Sequence, residues 1–219
     1  MIDTSKNKNI KLHLGNNSSY KYKINNKKEF LDYALSVIIL IITCPLLLII
    51  AIAIKCDSKG PIIYKQHRHG LNNKEIIIYK FRSMKWIKDE LQVIQATEND
   101  PRFTRIGKFL RKTSFDELPQ FINVLQGRMS IVGPRPHAIS HNDYYKKHIK
   151  NYIDRQQAKP GITGWAQING YRGETNQLVK MKDRIDFDKY YIENWSLKFD
   201  ISIIIKTIIL VIKDIKEFN

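Results

Sequence analysis

The sequence predicts an α+β fold that is mostly helical, and three observations predict it. An uncharged run of 22 residues reads as a helix suited to lipid, two β-rich runs flank a turn, and the remaining apolar residues recur mainly at helical spacing. The expected architecture is an N-terminal re-entrant membrane hairpin helix, a small β-hairpin, and a helical core with amphipathic interfacial helices. The expected boundaries are a mobile polar N-terminus over 1–28, the membrane helix over 29–56, and a domain over 57–219 that closes on an interfacial helix.

The first 28 residues are rich in Asn and Lys, a composition expected to be mobile. Then "YALSVIILIITCPLLLIIAIAI", Tyr33 to Ile54, is long enough to cross a bilayer core. A straight span is one reading. Two features favour a re-entrant hairpin. Basic residues flank both ends (Lys21, Lys23, Lys27 and Lys28 before; Lys55, Lys65, Arg68 and Lys74 after), and short basic flanks stay on the cytoplasmic side. Pro45 also interrupts the backbone ladder near the middle. The hinge is therefore expected at Thr43 to Pro45, with the hydroxyl of Ser36 or Thr43 satisfying carbonyls that the bend frees. The run is too long and starts too late for a signal peptide.

"PIIYKQ" and "KEIIIYKF", separated by "HRHGLNN", predict the β-hairpin. "FTRIGKFLRK" predicts a helix with Ile106, Phe109 and Leu110 on one face. A second helix is expected from about Asp116 to Gln126, then a rigid turn in "GRMSIVGPRPH", a polar helix over 138–158, a loop in "KPGITGWAQINGYRG", and a helix over 174–195. The apolar "ISIIIKTIILVIKDI" (201–215) is half a membrane long, so it reads as interfacial, with Lys206 snorkelling to headgroups.

With 37 basic against 21 acidic residues, the formal net charge is +16. That surplus implies a polyanionic partner, whether nucleic acid, anionic lipid or a phosphorylated substrate. No helix-turn-helix with a basic recognition helix and no aromatic RNA-binding strand motif is legible, which sets nucleic acid aside. Cys44 and Cys56 are too few for a disulfide framework, and reduced cytosol suits them.

The candidate chemistry lies in "RKTSFDELPQFINVL", where Asp116 and Glu117 stand side by side in a basic chain. Two readings compete. Ser114 and Glu117 have the spacing of a capping box, and Phe115, Leu118, Ile122 and Leu125 then recur at helical spacing. Pro119, however, falls where an intrahelical N–H is already needed, which moves the helix start towards Asp116 and frees a carboxylate. Basic residues cluster around the pair: Lys80 and Arg82 in "KFRSM", Arg111 just before it, and Arg135 between two prolines in "GPRP". Such a field is expected to keep both carboxylates ionised and to suit phosphate. An ionised Asp is a competent nucleophile towards phosphorus once the phosphate charge is neutralised.

Five strings, "QHRHG", "KFRSM", "DPRFTRIGKFLRKTSFDELPQFINVLQGRMSIVGPRP", "KPGITGWAQING" and "DKYYIENWSLKFD", resemble in order and spacing the bacterial sugar transferases called monotopic phosphoglycosyl transferases, in their short form. The resemblance runs from about Lys28 to the end. It implies transfer of a sugar 1-phosphate from a UDP-sugar to undecaprenyl phosphate with release of UMP. Asp116 would be the nucleophile and form a phosphosugar intermediate, and Glu117 would bind Mg²⁺ as the dyad's second member, beside Asp116. Lys80, Arg82, Arg111 and Arg135 would be phosphate contacts, and Asp188 matches a further acidic position. It also implies a plasma-membrane enzyme facing the cytoplasm. His69 and Lys198 depart from the family's usual apolar or aromatic residues. The sugar, the pathway and the oligomeric state, a homodimer included, are not encoded legibly.

Overall fold

The computed structural model describes residues 25–86, 100–173 and 177–216. Most of the expected mobile N-terminus, 1–24, lies outside the described residues. Its last residues instead start a helix: α1 spans Asn26–Asp57, and the Asn25 side chain accepts the Lys27 backbone N–H at its start.

By its hydrogen bonding α1 is one continuous helix of 32 residues with Pro45 inside it, rather than two helices joined by a turn. At the expected hinge the Thr43 hydroxyl donates to the Ile39 carbonyl at 2.7 Å, while the Ser36 hydroxyl is buried without a hydrogen-bond partner among the described residues. A cleft of about 570 Å³ opens here, lined by Leu40, Ile41, Cys44, Pro45 and Leu48. On either side of it, the two arms of α1 pack on the same folded body. Leu35, Ile39 and Leu40 join a cluster built on Ile78, Phe121, Val132 and Ile203. Leu46, Leu47, Ile50 and Ile54 join one built on Phe81 and Leu110. The remaining face, including Ile38, Ile42, Ile49 and Ile52, is exposed.

A buried polar knot fixes the first arm. Lys28 Nζ lies 2.6 Å from Asp200 Oδ2 and donates to the Val132 carbonyl at 3.1 Å and to Tyr191 OH at 3.2 Å. Asp200 also accepts from Tyr191 OH and from Trp195 Nε1. Asp200 belongs to α7 (Leu197–Lys216), so the two apolar elements of the chain meet at one ion pair.

The expected hairpin forms from β1 (Ile63–His69) and β2 (Glu75–Phe81), antiparallel with Ile63 opposite Phe81 and His69 opposite Glu75. The strand takes the "HRH" that was expected in the turn. The turn shrinks to Leu71–Asn73, where Asn72 and Asn73 adopt the left-handed backbone that Asn tolerates. Two further strands were not anticipated: β3 (Ser130–Val132) and β4 (Gly161–Thr163) pair in parallel inside stretches expected as turn and loop. Three residues carry too little alternation to be read. Gly133 permits the approach, since a Cβ there would meet the Lys159 carbonyl at 2.3 Å.

The other helices are α2 (Arg105–Thr113), α3 (Gln120–Leu125), α4 (Ile139–His148), α5 (Trp165–Ile168) and α6 (Leu178–Glu193). The polar helix expected over 138–158 thus splits into α4 and a 3₁₀ segment, Tyr152–Gln157. On α2 only Leu110 of the expected face is fully buried; Phe109 is exposed and meets Phe115 edge to face. Lys206 is exposed, and its ammonium lies over the Trp165 ring at 5.3 Å.

The end of α1 and the start of α2 are tied, since Asp57 Oδ2 accepts the Ile106 N–H at 3.1 Å. Beside it Gly107 touches backbone: a Cβ there would lie 1.8 Å from the Ser83 carbonyl oxygen. Gly107→Ala therefore forces two segments apart and is expected to cost at least the roughly 1–3 kcal/mol of an overpacked core, read as a lowered melting temperature.

Candidate active site

Asp116 and Glu117 lie in one 3₁₀ turn, Phe115–Glu117, between α2 and α3. The turn follows from Ser114, which ends α2 in the left-handed conformation (φ 62°, ψ 13°), costly for an L-residue by about 1–2 kcal/mol. The capping box does not form. The Ser114 hydroxyl accepts from Arg172 Nη2 at 2.7 Å, and the Glu117 carboxylate turns to cationic side chains. Nor does an α-helix begin at Asp116: Phe115–Glu117 is a 3₁₀ turn, and Pro119 stands at the N-cap of the following helix, where no N–H is needed. α3 begins at Gln120, and its register shifts, so that Phe121 and Val124 are buried while Ile122, placed on the inner face by sequence spacing, is 41% exposed.

Asn123 holds this segment to the hairpin. Fully buried, it accepts the Tyr79 N–H at 2.9 Å and donates to the Ile77 carbonyl at 2.7 Å, imitating a strand neighbour along β2. Its effect is to set the dyad's turn against Lys80, the next residue of β2. Sequence reasoning missed Asn123; the available signal was an amide amid apolar residues of a short helix.

Lys80 and Arg135 converge on Glu117 as expected. Glu117 Oε1 accepts from Lys80 Nζ at 2.7 Å and from Arg135 Nη2 at 2.8 Å. Oε2 has longer contacts, to Arg135 Nη1 at 3.4 Å and to Arg172 Nη2 at 3.8 Å. Arg172 was also missed, because it stands alone in a glycine-rich loop. Its side chain is 37% exposed, more open than Lys80 or Arg135.

The two carboxyls are both buried, 3% and 6% exposed, yet they diverge electrostatically. For Glu117 burial opposes ionisation, but Arg135, Lys80 and Arg172 overcome it and hold the carboxyl well below its usual range. For Asp116 burial prevails over Lys80, Arg111 and Arg135, with the Glu117 charge adding to it, and its pKa is raised. The cations thus act on the two unequally, because burial outweighs them at Asp116 and not at Glu117; desolvation was invisible in the sequence.

Arg111 lies on α2 with its guanidinium 5.1 Å from the Phe103 ring centre and lowers the Asp116 pKa electrostatically. Arg82 is placed differently from a phosphate contact. It donates to the carbonyls of Pro61 at 2.6 Å, Ser58 at 2.8 Å and Ile54 at 3.4 Å, and to the Ser58 hydroxyl. Those acceptors are the last turn of α1 and the chain just after it, so Arg82 closes the helix end. Asp188 is buried on α6 and pairs with Arg155. His69, the departure noted in the sequence, is 2.7 Å from Asn142 Nδ2, a polar partner on α4.

No group of three or more His, Cys, Asp or Glu side chains that could hold a metal is found among the described residues. A divalent ion would rest on Asp116 and on Glu117 Oε2, the oxygen with only long contacts. That set fits Mg²⁺, which characteristically takes one or two carboxylates and fills its shell with water and phosphate oxygens.

The family model described as bacterial sugar transferase matches residues 23–214. Over 177 residues the chain is 55% identical to a UDP-glucose:undecaprenyl-phosphate glucose-1-phosphate transferase of Escherichia coli K12, covering 81% of this chain and 38% of that protein. A protein of the same description from Xanthomonas campestris is 53% identical over 186 residues, covering 84% and 38%. An exopolysaccharide production protein of Rhizobium leguminosarum is 45% identical over 186 residues, covering 83% of this chain and 93% of that one. The chain thus spans less than two fifths of the first two relatives.

Proposed function

Because the chain belongs to the bacterial sugar transferase family, we propose that it moves a sugar 1-phosphate from a UDP-sugar to undecaprenyl phosphate, with Asp116 as nucleophile. The observation that carries this reading is the arrangement of the dyad. Lys80 and Arg135 are bonded to Glu117, Arg172 stands close by, and Asp116 is adjacent on the same turn. A helix cap needs no such crowd of cations, whereas a diphosphate does.

In the first step a carboxylate oxygen of Asp116 attacks the β-phosphorus. The bond from that phosphorus to the bridging oxygen breaks, and UMP leaves with the electron pair. In the second, an oxygen of the lipid phosphate attacks the same phosphorus, the acyl phosphate bond breaks, and the Asp116 carboxylate is restored. Lys80, Arg135 and Arg172 neutralise the phosphate oxygens, and the more exposed Arg172 meets the donor first. Mg²⁺ on Asp116 and Glu117 Oε2 would add neutralisation of the diphosphate. Burial disfavours the Asp116 anion, so a cationic, water-poor site gains most when that charge is passed to substrate.

The membrane reading follows from α1. Lys28 near its start and Asp57 at its end are both bonded to the one folded body. A crossing helix would instead put its two ends on opposite sides of the hydrocarbon core, where one folded body cannot hold both. We therefore read α1 as entering and leaving the cytoplasmic leaflet of the plasma membrane, with the exposed isoleucines of α1 and α7 in lipid. UDP-glucose, the donor named for two of the relatives, is the first to test. The chain in mixed micelles with undecaprenyl phosphate and Mg²⁺ should release UMP and form a lipid diphosphate sugar. Silence across a panel of UDP-sugars would discard the reading.

A further inference from the structure

The proposed mechanism uses the guanidinium of Arg135 but does not explain what aims it. Arg135 stands between Pro134 and Pro136. The ring of Pro134 fixes only its own φ, and Pro136 deprives the peptide after Arg135 of an N–H. The Arg135 carbonyl is thus that peptide's only polar group and the one place where a hydrogen bond can set its orientation.

Arg155, in the Tyr152–Gln157 segment, takes that place: its Nη2 donates to the Arg135 carbonyl at 2.6 Å. Asp188 holds Arg155 in turn, with Oδ2 2.9 Å from Nε and 2.8 Å from Nη2. Both side chains are buried. An ion pair needed only for stability would be complete without the third contact. Here one guanidinium nitrogen is shared between the carboxylate and the backbone of a site residue. His137 packs against the pair, with Nδ1 3.2 Å from Arg155 Nη1, while Arg184 Nη1 lies 3.3 Å from its other nitrogen. Arg68 Nη1 donates to the next carbonyl, that of Pro136, at 3.3 Å.

We propose that Arg155, held by Asp188, is a positioning residue that fixes the Arg135 peptide and so aims the Arg135 guanidinium at Glu117 and the transferring phosphate. This inference rests on the proposed transfer reaction, so wild-type UMP release is read first; its absence indicts that reaction. The test is a double-mutant cycle of Arg155→Lys with Arg135→Lys. An ammonium at 155 keeps the charge opposite Asp188 but has no fork to hold both acceptors. The expected result is a kcat lower by on the order of 10- to 100-fold in Arg155→Lys, with the KM for the UDP-sugar and the melting temperature little changed. In the Arg135→Lys background the same change should cost less than about twofold, because effects acting through one group do not add. Arg155→Met with Asp188→Leu replaces the pair by apolar groups, which is often neutral for stability; its kcat should stay low although the fold is intact. Equal losses in both backgrounds, or turnover restored in the apolar pair, would overturn the inference.

Discussion

Asp116→Asn is expected to abolish turnover, by at least about 10⁴-fold, and with it any phosphosugar adduct on the protein. The amide has the size of the carboxyl but cannot form an acyl phosphate. Its effect on the fold runs the other way. Burial raises the Asp116 pKa, which means that the folded state disfavours the anion. Replacing it by a neutral group removes that cost, so the variant should melt no lower than wild type. Loss of activity with retained stability separates a nucleophile from a structural acid. Mass spectrometry of the intact chain during turnover should find the sugar phosphate on wild type and not on the variant, and turnover surviving the substitution would defeat the assignment.

Lys28→Met is expected to have the largest effect on stability. It removes the cation that faces Asp200 at 2.6 Å and Asp32 at 4.0 Å, and leaves both acids in a buried site. Removing one partner of a buried pair costs about 3–5 kcal/mol, because the other charge is stranded. Denaturant titration in detergent should show the loss. A second change, Asp200→Leu, should recover part of it by removing the stranded acid, although Tyr191 and Trp195 then lose their acceptor. A Lys28→Met protein of wild-type stability would mean that the knot contributes little.

The large elements were legible because their signals are collective. α1 and α7 show in long apolar runs, the hairpin in alternation, and α2 in its amphipathic pattern. The core of the site was legible too, since Lys80, Glu117 and Arg135 do converge. What was not legible depends on single residues in tertiary context. Ser114 looked like a helix cap and is a left-handed helix stop whose hydroxyl receives Arg172. Asn123 works only because β2 offers it an N–H and a carbonyl. Arg82 and Arg135 look alike in sequence. The backbone around each decides that one closes a helix end and the other faces a carboxylate. Residues 174–176, the start of an expected helix, lie outside the described residues.

The Lys28 knot also dictates an order of birth. Lys28 waits for Val132, Tyr191 and Asp200, which lie 104, 163 and 172 residues further along. At roughly 5–20 residues per second of synthesis, the greasy helix leaves the ribosome some ten to thirty seconds before its last partner is made. Until Asp200 is made the knot cannot close on the helix's near end, so the nascent helix finds shelter in lipid or on a chaperone first, and the remainder of the chain closes over it afterwards.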